Sequence, residues 1–117
     1  MSTWIGVSSG KRGLNFNYVG NKNICGVELY IDREESQEDN KSIFDQLKIE
    51  EEKIQSKVNF PLNWQRLENR RASRIRIDFP GGYRSPEEEW PSIQKQMIDA
   101  MNQFEDAIRP ELKKLRI

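Results

Sequence analysis

Histidine is absent from this chain, cysteine occurs once, and the formal net charge is zero. The lack of histidine removes Ser-His and Cys-His nucleophilic catalysis, together with histidine-based zinc sites. A single cysteine can form neither an intramolecular disulfide nor a cysteine zinc site, and it points to a reducing, cytoplasmic compartment. Cys25 lies in an apolar run without an activating neighbour in sequence, so it reads as a buried structural thiol. Zero net charge excludes whole-protein attraction to nucleic acid. No apolar run approaches the roughly 18 residues needed to span a membrane. Met1 to Ser9 has neither a charged start nor an apolar stretch, so no signal peptide is expected.

Nucleotide-binding loops are missing as well. Ser8-Ser9-Gly10-Lys11-Arg12-Gly13 superficially resembles a phosphate loop but lacks the Gly-Lys-Ser/Thr order. It reads as a hairpin turn. Pro80-Gly81-Gly82 precedes a helix start whose amides could hold an anion, but Glu87, Glu88 and Glu89 already place negative charge there. The triplet Glu51-Glu52-Lys53 falls on a helix without an acidic strand end before it, which favours a solvated helix face over a magnesium site. No catalytic residue, metal ligand or cofactor is expected.

What is present is a chain of 117 residues, enough for one domain, with 35% hydrophobic and 32% charged residues. That balance implies a small core under a heavily solvated surface. The charge is segregated. Residues 34–52 hold eight carboxylates against two lysines, a net of −6, and residues 57–76 hold six cations against Glu68, a net of +5. Mutual neutralisation within the fold is the ordinary account of such a split.

Apolar alternation gives strands over Thr3–Ser8, Leu14–Val19 and Ile24–Asp32, with turns at residues 9–13 and 20–23. Val27, Leu29 and Ile31 face one way; Glu28, Tyr30 and Asp32 face the other. Gly26 marks an expected bulge. The period then changes. Asp39 or Asn40 can cap a helix running to about Lys57, with Ile43, Phe44, Leu47, Ile54 and Val58 on its apolar stripe. A hairpin is expected to follow, with a tight basic turn between its two short strands. Ile75, Ile77 and Phe79 point inward from it and Arg74 and Arg76 outward. Pro80-Gly81-Gly82 stops the second strand. Ser85-Pro86-Glu87-Glu88 matches a capping box. Pro91 is expected to kink or restart the last helix, and Pro110 to kink or end it. Ile93, Met97, Ala100, Met101, Phe104, Ala107 and Ile108 form its stripe, and Trp90 is expected to anchor it to the core.

The order β-β-β-α-β-β-α implies an α+β two-layer sandwich: an antiparallel sheet of about five strands with two helices packed on one face. The other face would then meet solvent or a partner. The segment from Asn63 to Asp78 packs five arginines and a tryptophan into sixteen residues. Arg66, Arg70, Arg71, Arg74 and Arg76 are candidates for phosphates, and Tyr30 and Trp64 for stacking on bases. The sequence leaves open which sheet face Trp64 takes. The same residues suit a protein interface or a pairing surface between identical subunits. Glu28 and Asp32 admit a weaker reading as a metal-dependent enzyme, against cross-strand ion pairing.

The segments Val27–Asp32, Asn40–Leu47, Trp64–Leu67, Ala72–Ile75 and Pro86–Trp90 resemble, in order and spacing, an uncharacterised family of bacterial and archaeal domains of unknown function. Members of that family often lie C-terminal to restriction-endonuclease-like domains. The resemblance runs from about Trp4 to about Arg109 and carries no catalytic residues. It implies an accessory, non-catalytic module that binds nucleic acid or assists a nuclease-type protein. The alternative is a protein-interaction or homodimerisation domain using the open sheet face.

Overall fold

Period-two alternation becomes a five-stranded antiparallel sheet. β1 is Thr3–Lys11, β2 Leu14–Gly20, β3 Ile24–Ile31, β4 Asn63–Gln65 and β5 Ser73–Pro80, in the spatial order β1-β2-β3-β5-β4. The computed structural model describes residues 3–20, 24–80 and 85–116, without the side chains of residues 3–5 and 80. Residues 21–23 of the turn expected after β2, Gly81-Gly82 of the expected strand stop and the side chains of Trp4 and Ile5 lie outside the described residues.

The first hairpin turns at Arg12 and Gly13, and Gly13 adopts the left-handed φ of 79° that its place in the turn requires. Ser9, Gly10 and Lys11 belong to the strand, where the register shifts between Ser8 and Lys11. Ser9 Oγ accepts from the Lys11 amide and donates to the Leu14 carbonyl, fixing the irregularity. At Gly26 no bulge forms. Pairing runs unbroken through it on both sides, to Val19 and to Asp78. The glycine answers a different need: a Cβ there would stand 2.1 Å from the carbonyl oxygen of Ile77.

Two of the three α-helices follow β3. α1 is Gln37–Ile49 and α2 is Glu51–Ser56, separated at Glu50. Ser36, not Asp39 or Asn40, is the N-cap; its hydroxyl accepts from the Asp39 amide at 3.2 Å. Ile43, Phe44, Leu47, Ile54 and Val58 are all buried. The helix break thus leaves the apolar stripe pointing at the sheet.

A single 3₁₀ turn, Glu87–Glu89, precedes α3, Trp90–Leu112. This turn stands where the capping box was expected, and its N-cap is Pro86. Pro91 falls in the first turn of α3, where a missing N–H costs nothing. Pro110 does not end the helix, because Glu111 and Leu112 just beyond it are buried and hold the last turn in place. Trp90 is 39% exposed and donates from Nε1 to the Ser85 carbonyl, so it braces the approach to the helix instead of the core.

One buried cluster joins the inner sheet face to α1, α2 and α3. Phe16 and Phe104 meet edge to face at 5.7 Å near its centre, and each such fully buried side chain contributes about 1.5–3 kcal/mol. The molecule is an α+β structure with its helices on one sheet face. Gly26→Ala should destabilise it by about 2 kcal/mol or more, read from the midpoint of urea unfolding, because backbone and not a mobile side chain blocks the new methyl.

Candidate binding face

Register places the outward residues in rows across the strands. Asn15, Tyr30, Arg74 and Gln65 form one row; Asn17, Glu28, Arg76 and Asn63 form the next. Asp78 stands opposite Gly26 in a third. None of the helices covers this face, since the apolar partners of α1 and α3 all lie on the other side. The rows enclose an open concavity of about 680 Å³ along β2, β3 and β5.

The five hairpin arginines take separate routes. Arg66 grips Asp45 in bidentate fashion at 2.9 and 3.0 Å and reaches Glu68 at 2.5 Å. Arg71 is bidentate to Asp32 at 2.7 and 2.9 Å. Arg74 donates to Gln65. Arg76 lies 3.1 Å from Asp78 and 3.9 Å from Glu28. Arg70 and Arg74 have no ionic partner among the described residues, Arg74 being held by the neutral Gln65 amide. The acidic segment from Glu34 and the basic hairpin therefore neutralise one another in part, through Asp45 and Arg66.

Trp64 settles on the covered face. It pairs with Ile75, meets the Phe44 ring edge to face at 5.9 Å, and has the Lys48 ammonium 5.0 Å from its centroid. It is thus separated from Tyr30, and the two cannot stack on one strand of bases. The hairpin is also looser than a tight turn. Residues 66–72 connect β4 to β5, and Leu67 takes a φ of 58°, which is uncommon outside glycine.

That loop is held from inside by two residues of α1: Lys41, which was not singled out from sequence, and Asn40, which was read there only as a possible cap. The Lys41 ammonium donates to the carbonyls of Arg66, Leu67 and Ala72 at 2.5, 2.9 and 2.7 Å, and to Ser73 Oγ at 2.9 Å. Burial, with Arg66 nearby, pushes its pKa below the ordinary lysine range, and the ring of oxygens opposes that loss of charge. Asn40, fully buried, accepts from the Arg33 amide and donates to the Arg33 and Arg71 carbonyls. A signal existed: Asn40 is three residues before Ile43, four before Phe44 and seven before Leu47, in phase with the apolar stripe. Lys41→Met should strand the Ala72 carbonyl, while those of Arg66 and Leu67 keep the Ser73 hydroxyl and the Arg70 amide, and cost about 2 kcal/mol in chemical denaturation, with the largest amide shifts in residues 66–73.

Glu28 and Asp32 do not act as a pair. Glu28 accepts from Asn17 at 2.9 Å, while Asp32 is engaged by Arg71. Among the described residues no three potential metal-binding carboxylates or thiols gather. Cys25 is buried, and that burial, with Asp78 nearby, raises its thiol pKa, which disfavours the reactive thiolate.

The sequence matches the family described as Domain of unknown function (DUF4268) over residues 1–112. The chain belongs to the DUF4268 family. No curated protein and no solved structure matches it. No described helix is long and apolar enough to cross a membrane.

Two carboxyls tie the DUF4268 chain's stability to pH. Hydrogen bonding from Arg71 holds Asp32 below the usual carboxylate range. Burial pushes Glu111 upward, but Lys114 and Lys53 together pull it below that range. A lowered folded pKa gives stability that is complete above the unfolded value and lost as pH falls through the folded one. The melting temperature should hold near neutrality and fall as pH drops below about 4, more gently in an Asp32→Asn/Glu111→Gln double variant.

Proposed function

We propose that this chain is a non-catalytic protein-interaction module and that the open face of its sheet is the contact surface. The disposition of the arginines carries this reading. Arg66 and Arg71, nearest the hairpin tip apart from Arg70, are closed onto carboxylates, and Arg74 and Arg76 are held by Gln65, Asp78 and Glu28. A phosphate clamp works through guanidinia free to turn toward the ligand. The open face instead mixes Arg74 and Arg76 with Glu28, Asp32 and Asp78 around the half-buried Tyr30. Mixed charge with an aromatic and arginines suits a protein interface and repels a run of phosphates. A second copy of the chain is one partner with the required complementarity, because the face carries both signs.

Nucleic-acid binding beside a nuclease is the second reading. Arg70 favours it, being exposed at the hairpin tip and without an ionic partner among the described residues. It would draw on Tyr30 for stacking, without Trp64.

Sedimentation velocity over rising concentration should show growing mass, reduced by Tyr30→Ala and by Arg74→Glu. Fluorescence anisotropy with short DNA and RNA at low salt should stay flat. Constant mass together with salt-sensitive nucleic-acid binding, lost in an Arg70→Ala/Arg71→Ala variant, would replace the first reading with the second.

A further inference from the structure

The two outermost strands of the sheet differ in how they guard their free edges. β4 runs over only three residues, Asn63–Gln65, too short to serve as a template. β1 runs over nine, Thr3–Lys11. Its far end is closed to another strand, because the register shifts between Ser8 and Lys11 and Arg109 of α3 occupies the carbonyls of Ser8 and Ser9. Over Thr3–Val7 neither device operates. Pairing with β2 is regular there, and no described strand pairs with the outer edge. Thr3-Trp4-Ile5-Gly6-Val7 holds no charge and no proline, the usual guards of an open edge, and is rich in strand formers.

The helix side of this edge is also incompletely covered. Leu14 and Phe16 of β2 are fully buried, whereas Val7, paired with Phe16, and Tyr18 are only partly buried on the same face. Ile98, 52% exposed, lies about three turns before Arg109 on the same flank of α3, and Arg109 shows that this flank faces β1.

We propose that Thr3–Val7 is a dimer contact, pairing antiparallel with the same segment of a second copy. A two-fold axis perpendicular to the sheet makes such a joint, so it is self-complementary and closed. The axis keeps the helices of both copies on one side and brings their half-covered Val7 residues together there. An uncharged segment suits this occupant, since a charged one would bring like charges together across the axis. Two five-stranded sheets become one of ten. The segment spans about 17 Å, a small contact, so association should be weak and reversible. None of the open-face residues takes part, and both open faces stay uncovered on the other side of the joined sheet.

Sedimentation velocity and amide hydrogen exchange of the full ¹⁵N-labelled chain, each at low and high concentration, test the contact. Mass should rise toward that of a dimer. Amides within Thr3–Val7 should gain protection with concentration at alternate residues, because only every second N–H points outward. Val7→Lys should weaken the dimer about tenfold or more by placing two cations at the joint, while Tyr30→Ala and Arg74→Glu should leave it unchanged. The exchange measurement uses the unaltered chain, so it decides the matter even if the Val7 variant fails to fold. Constant mass at all concentrations, or no added protection in Thr3–Val7, would overturn the edge contact. Association lost in Tyr30→Ala and Arg74→Glu but kept in Val7→Lys would also overturn it, while the open-face reading stands.

Discussion

The Lys41 ammonium sits where the two halves of the chain meet. It rises from α1, passes beneath the β4–β5 connection and satisfies three carbonyls and a hydroxyl that have little access to water. Asn40 beside it ties the β3–α1 link to the same loop. Without these contacts the left-handed turn at Leu67 would have no fixed position. The orientation of Arg66 and Arg71, both in that loop, would then be undetermined. The candidate binding face thus depends on a lysine buried on the opposite side of the sheet. Removing this one cation would leave the Ala72 carbonyl bare and take one donor from each of its other acceptors, which is why the region should respond as a unit.

The open face is quiet electrostatically for a related reason. Arginine pairs best with carboxylate in planar, bidentate geometry, and the fold supplies Asp45 and Asp32 at that geometry. A segment that is strongly basic along the chain becomes nearly neutral in space. Exposed pairs of this kind contribute little stability, so their main effect is to orient side chains and to discourage phosphate. At the opposite edge of the sheet, Arg109 of α3 donates to the carbonyls of Ser8 and Ser9. This blunts part of the exposed edge of β1 against unwanted strand pairing.

Much of the fold was legible because it rests on local periodicity. Alternation over Leu14–Val19 and Val27–Ile31 located the central strands, and the stripe from Ala100 to Ile108 located the last helix. Errors cluster where backbone geometry depends on partners distant in sequence. Gly26 looked like a bulge until the close approach of Ile77 supplied another cause. Pro110 was expected to kink or end the helix, but the helix runs on to Leu112, where the burial of Glu111 and Leu112 outweighs the missing hydrogen bond. Ser36 was passed over as a cap in favour of residues one turn later, one of which, Asn40, proved to be a core residue.

The sequence by itself determined the α+β class, the order of elements and which residues of β3 and β5 face outward, because hydrophobic spacing encodes burial along a single strand or helix. It also determined that histidine chemistry is closed to this protein. Only the tertiary structure decided that Trp64 packs against Phe44, that Arg66 and Arg71 are neutralised from 21 and 39 residues away, and that Asn17 Oδ1 is left without a donor. Those outcomes turn on strand register and on which loops cross, and a one-residue change in register would exchange the two faces. Local pattern carries no information about which distant side chain arrives opposite.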